Sequence, residues 1–216
     1  MRFPLRLTAF VSLLLVATTV FAQPCPKDAE PALRQGLEQL QSEIAQLKTN
    51  KKLSTQLMAD VEVYAKAVEW CLRHDEFYVP KNSKTPNPPS AYVKHCQDAI
   101  AAGLARAAEL KTGGKPSWSE KTGSTIRGYV SRVDGSVQPY ALSLPKTFAS
   151  AKSGHRWPLH LVLHGRGGDR NEVRFASEHS KKQAADDQDW IQLDVFGRTD
   201  NAYRCQIASQ ASRCLQ

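Results

Sequence analysis

The sequence predicts an α/β chain in which an N-terminal helical unit is followed by an incomplete sheet. Three observations carry this. From Ala29 to Leu110 apolar residues recur in steps of three and four, the helical period. After Gly123 the pattern changes to short β-branched and aromatic runs bounded by Gly, Pro and Asp-Gly, the signature of strands. One such run, Leu159–Leu163, lies between Pro158 and Gly165 and reads as a strand buried on both faces. It enters His164-Gly165-Arg166-Gly167-Gly168, where three glycines in four positions can turn backbone N–H groups toward a ligand.

Residues 1–22 read as a signal peptide. Arg2 and Arg6 give a positive start, Leu7 to Phe21 an apolar core, and Val20-Phe21-Ala22 a cleavage site after Ala22. No later segment is apolar enough to cross a bilayer, so the chain is expected in the periplasm or outside the cell, with no transmembrane segment after cleavage. In that oxidising setting some of Cys25, Cys71, Cys96, Cys205 and Cys214 should pair, and the odd count leaves at least one over. No C-x-x-C pair occurs, so neither a metal site nor a redox motif is expected, and no cofactor is implied. The formal charge of +8 falls to +6 without Arg2 and Arg6. Its basic residues are dispersed rather than striped with aromatics, which argues against nucleic-acid binding.

Residues 23–111 read as three helices. Leu33, Leu37, Leu40, Ile44 and Leu47 form the first stripe, which Asn50-Lys51-Lys52 breaks. Leu53, Leu57, Val61, Tyr64, Val68, Cys71 and Leu72 form the second. Pro80 to Pro89 is a breaker-rich loop, and Val93, Cys96, Ile100, Leu104 and Ala107 form the third stripe. Short connections imply antiparallel neighbours. Cys71 and Cys96 each lie about two turns from the Pro-rich loop, so their sulfurs come level in the hairpin and a disulfide between them is expected. The partners of Cys25, Cys205 and Cys214 stay open.

Residues 112–124 (T-G-G-K-P-S-W-S-E-K-T-G-S) read as a linker, and 125–204 as the sheet-bearing part. A strand over Thr125–Val133 meets a turn at Asp134-Gly135 and returns as Val137–Leu144, where Pro139 suggests an edge or a bulge. After Leu159–Leu163 and the glycine loop, Asp169 is the candidate N-cap, with Glu172 as its capping-box partner, and a helix spans Asn171–Ala185. Trp190–Phe196 is the next strand. Residues 205–216 form an atypical tail rich in Cys, Ser and Gln.

A strand, a His-Gly-rich loop and a helix in this order resemble the oxyanion loop of α/β-hydrolases, which follows the third strand of that fold. More widely, G-Y-V-S-R-V-D-G-S-V-Q-P-Y-A-L-S-L-P, L-H-L-V-L-H-G-R-G-G-D-R-N-E and D-V-F-G-R-T-D-N-A-Y-R are similar to secreted esterases and peptidases of the prolyl-oligopeptidase-like and feruloyl-esterase-like groups. The resemblance covers about Ile126 to Arg204. It implies an incomplete α/β-hydrolase-type sheet and an exported serine hydrolase acting on a small-molecule ester or peptide. Its oxyanion donors would be backbone N–H groups in the loop His164, Gly165, Arg166, Gly167 and Gly168; Arg166 would either meet an anionic substrate or point into solvent.

The family's nucleophile sits in G-x-S-x-G, and the chain contains no such motif. Ser209 and Ser212 lack the flanking glycines, and His179, in a charged helix, reads as a surface residue. No catalytic residue is therefore identifiable. The reading is the N-terminal part of a serine hydrolase, truncated before its nucleophile and inactive as given. The competing reading is a non-catalytic exported protein whose helical unit binds a partner.

Overall fold

The computed structural model describes residues 20–80, 91–165 and 168–198. Most of the expected signal peptide, the loop after Pro80, Arg166, Gly167 and the tail with Cys205 and Cys214 lie outside the described residues.

A short strand β1 (Val20–Phe21) pairs antiparallel with β2 (Val79–Pro80). Between them run α1 (Glu30–Lys48) and α2 (Thr55–Arg73); α3 (Ala91–Thr112) follows. In α1 the expected stripe Leu33, Leu37, Leu40, Ile44 and Leu47 is the buried face. Ser54 caps α2 by accepting the Leu57 N–H at 3.2 Å. Helix α2 is buried on more than one face, because it packs on α1 and α3 and also on the sheet. In α3 the buried face takes in Tyr92, Ala99, Gly103 and Arg106 as well as Cys96, Ile100 and Ala107, while Val93 and Leu104 are half-buried.

The sheet contains β3 (Gly123–Val130), β4 (Val137–Leu144), β5 (Leu159–Leu163) and β6 (Ile191–Val195), in the order β3-β4-β6-β5. Strand β4 is antiparallel to both neighbours, and β5 and β6 are parallel, joined through α4 (Glu172–Ser180). Gly135, with φ of 71°, supplies the left-handed position of the expected turn.

Four expectations need correction. Leu159–Leu163 is not buried on both faces: β5 is the outer strand, all five residues are exposed, and Leu161 and Leu163 keep 45% and 51% of their surface. Among the described residues the apolar run has one strand neighbour, β6. Pro139 lies in an interior strand rather than at an edge. It pairs with Gly128, and the ladder to β6 begins only at Tyr140, so its missing N–H leaves no gap. The cap of α4 is Asn171, whose side chain accepts the Arg174 N–H at 3.1 Å; Asp169 instead ion-pairs with Arg174, and the helix ends at Ser180. His179 is 3% exposed rather than on the surface.

The segment 112–124 is tied down at Trp118, which is buried beneath the Arg106 guanidinium and donates Nε1–H to Asp60 Oδ2 at 3.1 Å.

Candidate functional site

Strands β5 and β6 run parallel, so their carboxyl ends, Leu163 and Val195, open toward the same rim of the sheet. That rim is where open α/β sheets generally place ligands. His164 follows β5 directly. Its ring contacts two backbone carbonyls, Gly165 at 2.8 Å through Nδ1 and Phe196 through Nε2. The side chain thus fastens the end of one parallel strand to the end of the other, the bracing role of a residue that anchors a loop. At Gly165 a Cβ would meet nothing within 4 Å, and the residue has no left-handed φ. Gly168 lies on the other side of Arg166 and Gly167, in the turn that leads to α4.

The helical unit holds the start of α4. Asn171, buried, donates Nδ2–H to the Glu76 carbonyl at 3.2 Å and contacts Cys71 Sγ at 3.7 Å. Tyr92 donates its hydroxyl to the Asp169 carbonyl. Glu172 pairs with Lys66 in an ion pair whose side chains are 11% and 14% exposed. Burial raises the Glu172 carboxyl above its ordinary value, although Lys66 pulls it down. Lys66 and Tyr92 carry no local sequence signal for this work. Only the D-R-N-E run hinted that the residues after the loop matter.

On the opposite side of the rim, Gly197 and Arg198 take left-handed φ values of 67° and 55°. Arg198 grips Asp134 of the β3–β4 turn with both terminal nitrogens, at 2.6 and 2.8 Å. That guanidinium, with Ser136 and Ser131, holds the Asp134 carboxyl far below the usual carboxylate range.

Beneath the rim a cavity of about 190 Å³ is lined by Val162, His164, Phe175, His179 and Asp194 among others. His179 uses Nδ1 on the Phe175 carbonyl at 2.9 Å, and its Nε2 lies 3.4 Å from Asp194 Oδ1. Both ring nitrogens are thus turned toward oxygen atoms of the surrounding fold. Burial pushes the Asp194 carboxyl up, but hydrogen bonds from His179 and Gln192 more than offset it, and the group stays below its ordinary value.

Cys71 and Cys96, both buried, stand in sulfur–sulfur hydrogen-bond contact as free thiols, level with each other across the α2–α3 hairpin. Burial pushes the Cys25 thiol up to about 11.

Among the described residues, no group of three or more His, Cys, Asp or Glu could hold a metal ion, and no helix is long and apolar enough to cross a membrane. The chain matches no family model, no curated protein and no solved structure.

Proposed function

We propose that this chain carries the oxyanion-loop part of an exported serine hydrolase, acting on a small-molecule ester or a peptide, and that the nucleophile is supplied by residues it does not contain. The observation that carries the reading is His164. Its ring joins the end of β5 to the Phe196 carbonyl, so the glycine loop starts at the carboxyl rim of a parallel strand pair. Strand β5 is also the third strand of the sheet in chain order, the position the resemblance implies for that loop. Backbone N–H groups from such a loop stabilise the negative oxygen of an acyl-transfer intermediate; losing one donor typically costs about 3 kcal/mol of transition-state stabilisation.

A fluorophosphonate probe tests the reading in two arms. The 216-residue chain should stay unlabelled and turn over no p-nitrophenyl acetate. A chain continued beyond Arg204 from a neighbouring reading frame should carry G-x-S-x-G followed by Asp and His, and should label at that serine. Labelling of the short chain, or a continuation without the motif, would overturn it.

The second reading, a non-catalytic partner-binding protein, draws on a cleft of about 520 Å³ between α1, α2 and the β3–β4 turn, where Trp70 is 44% exposed. Loss of partner capture on Trp70→Ala, with the probe silent in both arms, would favour it.

A further inference from the structure

A cavity of about 260 Å³ lies where α3 and the segment before the sheet meet the start of β3. Strand β4 is antiparallel to both β3 and β6, so β3 and β6 run the same way. The start of β3 is therefore at the end of the sheet opposite the His164 rim. Tyr64, Arg106, Trp118, Ser124 and Ile126 line the cavity, and the exposed Lys121 adds a second positive charge.

Arg106 is a buried cation short of a counter-charge. It is 9% exposed, and its guanidinium lies over the rings of Trp118 and Tyr64, at 4.7 and 5.0 Å. Nη1 donates to the Asp60 carbonyl at 2.8 Å. Among the described residues its other N–H groups are uncommitted and no carboxylate ion-pairs with it. The two nearest acids are engaged elsewhere. The Asp60 carboxylate holds Arg127, Trp118 and the Gly128 N–H, and Glu109 Oε2 accepts the Ser117 N–H at 2.8 Å. Burial pushes the Arg106 guanidinium below its ordinary value. The aromatic faces offset part of the cost of burying the charge, but an anion would offset more.

Ser124, in the same wall, is 4% exposed, and its hydroxyl has no hydrogen-bond partner among the described residues. Its N–H is spent on the Lys182 carbonyl at 3.0 Å. Two residues apart on one strand, Ser124 and Ile126 share a face, so the hydroxyl lies on the side of the apolar wall. Buried hydroxyls without a partner are uncommon and call for one.

We propose that this cavity binds a small organic carboxylate, with Arg106 and Ser124 as its donors. The planar guanidinium fork matches the two oxygens of a carboxylate, and the Ser124 hydroxyl supplies a further donor. Tyr64, Trp118 and Ile126 offer apolar surface to the body of the ligand. The volume lies below the roughly 300–1,000 Å³ of pockets for drug-sized molecules, so the ligand is small. Glu109, in the lining, favours a single negative charge over a doubly charged phosphate. The inference stands independently of the hydrolase reading.

Titration calorimetry on the purified full chain tests it, with benzoate as the probe. Benzoate should bind with a dissociation constant of about 1 mM or tighter. Benzamide, of the same shape but neutral, should bind about tenfold more weakly or worse. Ser124→Ala deletes a hydroxyl that bonds nothing in the fold, so the variant should stay folded and bind benzoate about tenfold more weakly. Arg106→Gln should abolish binding. Should that variant unfold, the indole N–H resonance of Trp118 in the unaltered chain gives the same information: it should shift with benzoate and not with benzamide. No binding of benzoate, equal binding of benzamide, indifference to Ser124→Ala, a Trp118 signal that stays put, or inorganic phosphate bound more tightly than benzoate would each overturn the proposal.

Discussion

Asp60 of α2 accepts the backbone N–H of Gly128 in β3 at 2.9 Å, with its side chain fully buried. The same carboxylate takes Arg127 Nε at 2.9 Å and Trp118 Nε1 at 3.1 Å. Arg106, lying over the rings of Tyr64 and Trp118, donates to the Asp60 carbonyl at 2.8 Å. One residue thus ties the helical unit, the segment before the sheet and strand β3 together. The absence of a side chain at Gly128 is what permits it: a Cβ there would lie 2.0 Å from the Ala59 carbonyl oxygen.

Asp60→Ala should therefore be among the most damaging single changes in the chain. It leaves the Arg127 guanidinium and the Trp118 N–H without their buried partner, a loss typically worth about 3–5 kcal/mol. Urea unfolding followed by tryptophan fluorescence measures it. A loss below about 1 kcal/mol would show that water or other groups replace the carboxylate.

The pH dependence of stability should carry the mark of Asp194. Its carboxyl is held below the ordinary value of 3.8 in the folded state, so the stability it contributes is fully present above 3.8 and is lost as pH falls through the folded value. Asp194→Asn should flatten the acid limb of the stability curve in that range and leave the slope near neutrality alone. An unchanged acid limb would show that the His179–Asp194 contact does not stabilise the fold.

In an oxidising compartment Cys71 and Cys96 should be joined. Their thiols already touch, and closing a loop of this length should stabilise by about 3 kcal/mol in the chain-entropy model. Thiol counting on the native chain, before and after denaturation, checks this: Cys25, buried with its thiol pushed up to about 11, should react only after unfolding. Both Cys71 and Cys96 found reduced after periplasmic expression would contradict it.

The sequence made some of this legible and left the rest out of reach for physical reasons. The stripe from Leu33 to Leu47 and the Asp134-Gly135 turn are local patterns, and both are present as expected. The apolar character of Leu159–Leu163 was equally plain, but composition reports only that a strand could be buried, not how many neighbours it has. His179 sits among Glu178, Lys181 and Lys182, which reads as a solvated face; in the fold it is buried facing Asp194 of β6, a contact distant in sequence. Asp60 is a lone acid inside an apolar stripe, and its partners Arg127 and Gly128 lie 67 and 68 residues away. At the candidate site the glycine loop announced itself, whereas Lys66 and Tyr92, which hold its following helix, are set by tertiary packing alone.

Whether the loop after β5 supplies oxyanion donors is decided by kcat of the continued chain carrying Gly167→Val. Gly165 has no left-handed φ and has room for a Cβ, so it tolerates a side chain. A loop that aims successive N–H groups at one point generally needs a residue open to φ > 0, and Gly167 is the candidate. A fall in kcat of about two to three orders of magnitude, the size of losing one donor, is expected. KM should change much less, because the donors act on charge that develops in the transition state. An unchanged kcat would contradict the claim and leave the glycines as an ordinary turn between β5 and α4.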